Sequence, residues 1–205
     1  MMLNIHTLTL GLYQVNCYIV HNEESDRCVV IDPGYAPETI LAFLEKEGLA
    51  LDAILLTHGH FDHVGAVEAL VGCTGCKLWM KEADYTQKPS PIASFFYPIH
   101  DCDFTEVCFC EEGEQIHAGG LMFTVLETPG HTWGSVCYRC EDVIFTGDTL
   151  FAGACGRTDL PGGDAQWLRR SLARLAALEE DPTVYPGHGE SSSLAREKRY
   201  NPYLR

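Results

Sequence analysis

The chain has 205 residues, of which 46% are hydrophobic and 21% charged, a composition typical of a globular protein and unlike that of a disordered one. Its 29 acidic residues outnumber the 14 Lys and Arg. The net charge of −15 at pH 7 argues against nucleic acid and anionic membrane surfaces as partners. The length predicts one domain over residues 1–205 with a sizeable buried core.

Strands and helices alternate along the chain, and each is predicted from the local spacing of apolar residues. Apolar runs rich in β-branched residues predict strands at residues 4–10, 15–20, 27–31, 53–56, 77–80, 106–110, 121–127, 135–140, 143–146 and 183–185. Helices are predicted at 37–48, 64–71, 81–86, 164–178 and 192–200, with a loop over 57–63. In the fourth helix, Asp164 is the expected N-cap and Trp167 lies on the expected apolar side. Two mixed sheets with helices on their outer faces would bury this pattern, so the predicted class is α/β.

A long irregular segment over residues 87–103 interrupts the alternation and contains Phe95-Phe96-Tyr97. A segment of that length inside a compact domain is typical of a lid or binding loop. The equal alternative is a cover over a sheet edge, with the aromatic side chains in the core. Phe96 and, earlier in the chain, Tyr13 are candidates for the wall of a substrate pocket.

The opening segment MMLNIHTLTLGLYQVN has no basic residue ahead of its apolar stretch, and no apolar run is long enough to cross a bilayer. We therefore expect a cytoplasmic protein without a membrane partner. Most of its 10 cysteines are then expected to be buried free thiols. The C-x-x-C pairs 73–76 and 137–140 could form a zinc site, but they lie too far apart for the usual spacing, and strand residues three apart point to opposite faces.

The most specific signal is the segment Thr57-His58-Gly59-His60-Phe61-Asp62-His63, directly after an apolar strand. Imidazole and carboxylate groups at this density suit zinc, iron or manganese. Placing these polar groups at the end of a buried strand costs desolvation energy unless a cation lies between them. The segment therefore predicts a metal site.

Three other segments place a candidate ligand near the end of an apolar strand: TPGHT with His131, FTGDT with Asp148 and YPGHG with His188. Glycine and proline let the backbone turn sharply and approach a crowded centre. Each segment alone would be an ordinary turn. Together with the first segment they predict one site.

The order T-H-x-H-x-D-H, P-G-H, G-D, P-G-H resembles the metallo-β-lactamase superfamily over residues 3–188. Within it, QVNCY at 14–18, GRTD at 156–159 and EKRYNPYL at 197–204 resemble the short glyoxalase-II-like hydrolases. The resemblance implies a four-layer αββα sandwich with two divalent metal ions at one edge. Zinc is expected, with iron or manganese as alternatives.

The same resemblance assigns the ligands. It implies that the first ion is held by His58, His60 and His131, and the second by Asp62, His63 and His188. Asp148 falls on the position whose carboxylate bridges both ions. Zinc β-lactamases often have a cysteine or another residue there, so the chain resembles the hydrolase branch.

The expected chemistry is hydrolysis by a hydroxide that bridges both ions, because a bound metal lowers the pKa of water to about 7. Asp62 would bind the second ion and orient the hydroxide for attack on a carbonyl. Arg157 is a candidate contact for a substrate carboxylate, since its guanidinium is a planar fork. An ion pair with Asp159 is the equal alternative.

The resemblance favours hydrolysis of a small-molecule acyl-thiol or ester. Glyoxalase II has an added C-terminal helical region that supplies much of its glutathione site. This chain stops soon after His188, so a different or broader substrate range is expected. The alternatives are a mononuclear-iron persulfide dioxygenase, whose ligands are the equivalents of His58, His131 and Asp148, a lactone or other ester hydrolase, and a binding protein on a decayed enzyme fold. No oligomeric state is predicted.

Overall fold

Two six-stranded sheets form the centre of the structure, a computed structural model that describes residues 2–86, 96, 98 and 107–205. The first sheet contains, in spatial order, β1 (Leu3–Leu10), β2 (Val15–Asn22), β3 (Arg27–Ile31), β4 (Ala50–Leu55), β5 (Lys77–Met80) and β6 (Val107–Phe109). Strands β1 to β3 pair antiparallel, whereas β3 to β6 pair parallel.

The second sheet is mostly antiparallel. It contains β7 (Gln115–Ala118), β8 (Leu121–Glu127), β9 (Val136–Cys140), β10 (Val143–Gly147) and, after a separate hairpin of β11 (Leu150–Phe151) and β12 (Ala154–Cys155), β13 (Thr183–Pro186) and β14 (Ser192–Ser193). The spatial order is β14-β13-β10-β9-β8-β7, with β10 and β13 as a parallel pair. The carboxyl ends of β10 and β13 therefore lie at the same edge.

Helices cover the outer face of each sheet. Those that follow strands of the first sheet are α1 (Pro37–Glu47), α2 (Phe61–Val64), α3 (Val67–Thr74) and α4 (Glu82–Thr86), and those of the second sheet are α5 (Ala165–Ala176) and α6 (Leu194–Tyr200). Ile40 of α1 and Leu70 of α3 belong to the same core cluster as β-strand residues of the first sheet. Leu168 and Leu172 of α5 join a cluster with strands of the second sheet.

Strand β3 shows why its sequence is apolar at successive positions. Cys28 and Val30 belong to the cluster under the helices, and Val29 and Ile31 to the cluster between the sheets. Successive side chains of a strand point to opposite faces, so a strand in a middle layer must be apolar on both. The four-layer αββα sandwich predicted from the sequence is confirmed.

Most predicted strands and helices are present, with shifted ends. The predicted loop over 57–63 contains the start of α2 at Phe61, and the predicted helix at 64–71 is observed as α3, Val67–Thr74. Strands β7, β11, β12 and β14 were not predicted. The last three have two residues each, too few to show a period, and β14 lies where the start of the last helix was predicted. Asp164 is the N-cap of α5, as predicted, and its carboxylate accepts hydrogen bonds from the amides of Gln166 and Trp167.

Trp167 is placed differently from the prediction: its side chain is half exposed, not on the buried side of α5. The predicted lid or cover over 87–103 lies outside the described residues, apart from Phe96 and Pro98. Cys137 and Cys140 lie on opposite faces of β9, in different core clusters, as predicted from strand geometry. In the described part of the chain, no helix is long and apolar enough to cross a membrane.

Candidate metal centre

Loops at one edge of the two sheets bring the predicted ligands together, each after the carboxyl end of a buried strand. The ligands follow β4 (His58, His60, Asp62 and His63), β8 (His131), β10 (Asp148) and β13 (His188). The loops are tied by backbone hydrogen bonds: the amide of Gly187 donates to the carbonyl of Gly147 over 2.9 Å. Residues that are far apart in sequence therefore share one small volume.

The first group of side chains consists of three buried histidines. His58, His60 and His131 each offer a ligand atom, and these atoms lie within 4.8 Å of one another. Nδ1 of His60 lies 2.9 Å from Nε2 of His131. Three imidazole nitrogens facing one point are a ligand set suited to a divalent transition metal.

The second group mixes one carboxylate with two imidazoles. Ligand atoms of Asp62, His63 and His188 also lie within 4.8 Å of one another. Oδ2 of Asp62 lies 3.4 Å from Nε2 of His188. The group is less enclosed than the first, because Asp62 and His188 are partly exposed. It therefore lies on the side from which a small molecule can approach.

Asp148 lies between the two groups. Its Oδ2 is 3.5 Å from Nε2 of His131, in the first group, and 3.7 Å from Nε2 of His188, in the second. Its Oδ1 is 3.5 Å from Nε2 of His63. One carboxylate thus faces both groups, which is the position that a shared ligand requires.

The hydrogen bonds behind three of the imidazoles fix which ring nitrogen faces inward. Nδ1 of His131 donates to the carbonyl of Arg157 (2.8 Å), and Nδ1 of His188 donates to the carbonyl of Tyr13 (3.0 Å). Nδ1 of His63 donates to the Asp32 carboxylate over 3.0 Å. Because Nδ1 is the hydrogen-bond donor in each ring, Nε2 is the nitrogen that faces the centre, where a bound cation would take the place of a proton.

His58 is oriented through a chain of hydroxyl and carboxylate groups. The Thr57 hydroxyl donates to Oδ2 of Asp32 over 2.6 Å, so its oxygen is left as an acceptor for Nδ1 of His58 at 3.0 Å. Nε2 of His58 then faces inward, and no described residue gives it a hydrogen-bond partner. The same is true of Oδ1 of Asp148. Leaving such groups buried and unpaired costs about 1–3 kcal/mol each, a cost that a bound cation removes.

Charge differs between the two groups. Burial, reinforced by neighbouring imidazoles, holds the pKa of His58 well below its usual value and that of His60 at about 2, so both rings are neutral at pH 7. Burial also disfavours a charged His63, but the carboxylates of Asp148 and Asp32 outweigh it and raise its pKa to about 9. A cation bound beside His63 would take over the favourable interaction that these carboxylates give to the ring proton.

The Asp62 carboxylate is ionised at neutral pH. Burial raises its pKa, but the hydrogen bond from His188 and the positive charge of His63 outweigh burial and bring the pKa to about 2. Neutral imidazoles, such as those of His58 and His60, and an ionised carboxylate, such as that of Asp62, are the donors that divalent metals take. The residues present fit a pair of divalent ions.

Asp32 is a part of the site that the sequence analysis missed. It lies just beyond β3 in the left-handed region (φ 50°) and accepts hydrogen bonds from Thr57 and His63. Asp32, His58 and His63 also form a compact group of candidate ligands. However, both Asp32 oxygens already accept hydrogen bonds, so this residue orients ligands and does not compete with them. Its partners lie 25 and 31 residues further along the chain, so no local sequence pattern indicated this role.

Two of the predicted substrate contacts, Tyr13 and Phe96, lie beside the metal centre. Tyr13 is exposed and its ring lies 5.2 Å from that of Phe61. The Phe96 ring lies 6.4 Å from the His60 ring and 6.3 Å from the Phe61 ring. These aromatic rings border the metal centre, and Phe61 joins the two that the sequence analysis named.

Arg157 forms a two-pronged ion pair with Asp159, at 2.7 Å from Nε and 2.6 Å from Nη2, which was the alternative to a substrate contact. Both side chains are exposed. Its backbone carbonyl has a separate role, because it fixes the His131 ring. Contact between the Arg157 side chain and a substrate carboxylate stays a prediction.

Known proteins are similar to this chain in sequence and in architecture. The hydroxyacylglutathione hydrolase GloC of Haemophilus influenzae is 36% identical over 98% of each chain. The crystal structure of the BLEG-1 B3 metallo-beta-lactamase superposes with a TM-score of 0.85, at 33% identity over 99% of both chains. The protein TTHA1623, solved in a di-iron-bound form, gives a TM-score of 0.84 at 39% identity, over 97% of this chain and 100% of that one.

The profile of the metallo-beta-lactamase superfamily matches residues 10–188, a span that contains every residue of the two groups and the shared carboxylate. The match covers most of the chain and agrees with the observed sandwich. The chain therefore belongs to the metallo-beta-lactamase superfamily.

Proposed function

We propose that the protein is a hydrolase of small-molecule thioesters that works with two divalent metal ions. The observation that carries this proposal is the complete set of ligands: two compact groups of three, with the Asp148 carboxylate facing both. His58, His60 and His131 would hold one ion, and Asp62, His63 and His188 the other. The similarity to GloC supports a thioester as substrate.

Divalent ions held here would supply Lewis acidity toward a carbonyl and a hydroxide nucleophile near neutral pH. The protein's own part is to hold the ligand rings in place and to orient the attacking water. Asp62 is ionised and only partly buried, so it can accept a hydrogen bond from the attacking water and fix its direction. The hydrogen bonds from His131, His188 and His63 keep their rings from turning during the reaction.

A thioester suits a site of this composition. A leaving thiolate has a conjugate-acid pKa near 8.5, so it departs at neutral pH without a strong proton donor. We assign no general acid. His58 and His60 are not positively charged at pH 7, because burial lowers the pKa of both rings, so neither is an acid for the leaving group. An amide would need such a donor, because its leaving amine is far more basic.

The aromatic rings beside the centre would contact the acyl group. Tyr13, Phe61 and Phe96 lie on the side of His60 and Asp62, and their rings are spaced at 5.2 to 6.3 Å. Such a wall favours substrates with an apolar acyl body. We propose that Tyr13 and Phe96 are substrate contacts in this sense, and that Arg157 is one only if it leaves Asp159.

Zinc is our proposed native metal, and the di-iron form of TTHA1623 makes iron the first alternative to test. The dioxygenase alternative needs only one iron, on His58, His131 and Asp148. It gives no reason for Asp62, His63 and His188 to converge as a second group. Because the chain is similar to BLEG-1, a β-lactam should be tested as a substrate together with thioesters. The cytoplasm as location and the exclusion of nucleic acid stay predictions.

The test is a substrate panel with controlled metal content. Protein loaded with zinc, iron or manganese is assayed with a glutathione thioester, a neutral N-acetylcysteamine thioester, a lactone and a chromogenic cephalosporin. We expect thioester turnover that disappears when a chelator removes the metal and returns when metal is restored.

Thioester turnover that persists in protein shown by elemental analysis to contain no metal would contradict the proposal. So would oxygen consumption with a persulfide and iron, in the absence of any thioester turnover. Faster opening of the cephalosporin than of any thioester would move the assignment to β-lactam hydrolysis. The neutral thioester serves as the control for recognition of the glutathione part.

A further inference from the structure

Asp84 is a buried carboxylate that lies outside both ligand groups. It belongs to the short helix α4 and its side chain is fully enclosed (0% exposed). Its Oδ2 accepts hydrogen bonds from the amide of Gly59 at 2.9 Å and from the hydroxyl of Thr132 at 2.7 Å. Its Oδ1 accepts from the amide of Gly134 at 2.7 Å. Both oxygens of Asp84 therefore accept hydrogen bonds.

The partners of Asp84 belong to the two loops that supply the first metal group. Gly59 lies between His58 and His60, and Thr132 directly follows His131. A single carboxylate thus holds the first loop at a fixed distance from the second. Asp84 thereby connects the two loops through three hydrogen bonds.

The surrounding atoms are fitted closely to this carboxylate. A Cβ added to Gly134 would lie 2.7 Å from Cγ of Asp84 and 2.7 Å from its Oδ1, closer than real Cβ contacts. A glycine is needed there for Asp84 to reach the amide. The hydroxyls of Thr132 and Ser135 also lie 2.8 Å apart, which keeps the turn after His131 closed around its contact with Asp84.

A carboxylate, and not an amide, matches the donors. Two N–H groups and one O–H point at the two oxygens of Asp84. Asparagine would offer one oxygen and would turn an NH₂ group toward an N–H or O–H donor. One loop would then lose its attachment, while the volume of the side chain would be unchanged.

We propose that Asp84 is a positioning residue for the first metal ion, setting the separation of His58 and His60 from His131. The second ion does not depend on it, because Asp32 and the Tyr13 carbonyl orient His63 and His188. This inference rests on the proposed two-metal function. It adds that Asp84 fixes ligands of the first ion, whereas Asp32 and the Tyr13 carbonyl fix two ligands of the second, so that mutation of Asp84 should change the affinity for one ion only.

The test is a zinc titration of the apoprotein of Asp84→Asn against a competing chelator, without substrate. We expect one of the two zinc affinities to fall about 10- to 100-fold, as when a group that orients a metal ligand is removed, and the other to stay within about twofold. Histidine NMR then identifies the ion: zinc-induced shifts of His58, His60 and His131 should need more zinc, and those of His63 and His188 should not.

Glu197→Gln is the matched control. Glu197 is also a buried carboxylate that accepts a backbone hydrogen bond, from Gly153 at 2.7 Å, but it serves neither metal loop. We expect that variant to lose stability and to keep both zinc affinities. Thr132→Val removes only one donor to Asp84 and should weaken the same ion to a smaller extent. It provides the test if Asp84→Asn does not fold.

Equal weakening of both ions, or unchanged affinity for the first ion in folded Asp84→Asn and Thr132→Val, would overturn the inference. A wild-type protein that binds both ions but cleaves no thioester would defeat the proposed substrate and leave the role of Asp84 standing. The two failures are therefore distinguishable, since affinity is measured without turnover.

Discussion

Replacing Asp62 with alanine is expected to lower kcat for thioester hydrolysis by about 10²- to 10⁴-fold, the range for loss of a positioned general base. The side chain has two uses in the proposed site: it is a ligand in the second group and it directs the attacking water. Its Oδ2 lies 3.4 Å from Nε2 of His188, and it is the carboxylate of the second group.

Steady-state kinetics on zinc-loaded Asp62→Ala, with bound zinc counted by native mass spectrometry, measures the effect. Asp62→Asn separates the two uses, because the amide keeps an oxygen for the metal and loses the charge. Glu45→Ala, which removes an exposed carboxylate from the outer helix α1, is the control and should turn over like the wild type. Wild-type turnover by Asp62→Ala with both ions bound would show that Asp62 has neither role.

Gly187→Ala is expected to disable the centre by crowding alone. A Cβ at this position would lie 2.3 Å from Oδ1 of Asp148 and 2.8 Å from Cε1 of His63. The shared carboxylate and one ligand of the second group would both have to move. We expect thioester turnover to fall by about 10²-fold or more, the cost of misplacing a reacting group by about 1 Å. Overpacking should also destabilise the fold by roughly 1–3 kcal/mol.

Gly72→Ala supplies the control for adding a methyl group. Gly72 lies in α3 and nothing lies within 4 Å of the Cβ it would acquire. That substitution should stabilise the fold by about 0.5–1 kcal/mol, because alanine is the better helix former, and should leave kcat unchanged. Urea unfolding and steady-state assays of both variants measure the two effects. Wild-type turnover by Gly187→Ala would mean that Asp148 is not held where the geometry places it.

The ligand set could be predicted from the sequence because its signals are local. Five of the seven ligands are next to a glycine, as in PGH at 129–131 and GD at 147–148, and Asp62 and His63 belong to the same short segment as His58 and His60. The apolar runs that precede these turns also predicted the strands. A strand in a middle layer must be apolar on both faces, and this requirement is visible without knowing what the strand packs against.

Other features depended on contacts between distant parts of the chain. Short strands such as β7 exist because a neighbouring strand pairs with them. Trp167 lies at an apolar helical position but remains half exposed, because its place on α5 faces away from the sheet. The spacing of apolar residues indicates which side of a helix is buried. Only packing decides how wide the buried part of that side is.

The sequence by itself determined the α/β sandwich and the seven candidate ligands, since both follow from apolar periodicity and from turns that glycine and proline permit. Only the tertiary structure decided what holds the ligands in place. Asp32 meets Thr57, and Asp84 meets Gly59 and Gly134, across separations of 25 to 50 residues. A hydrogen bond over such a distance leaves no pattern along the chain, because it requires only that two surfaces meet once the strands have packed.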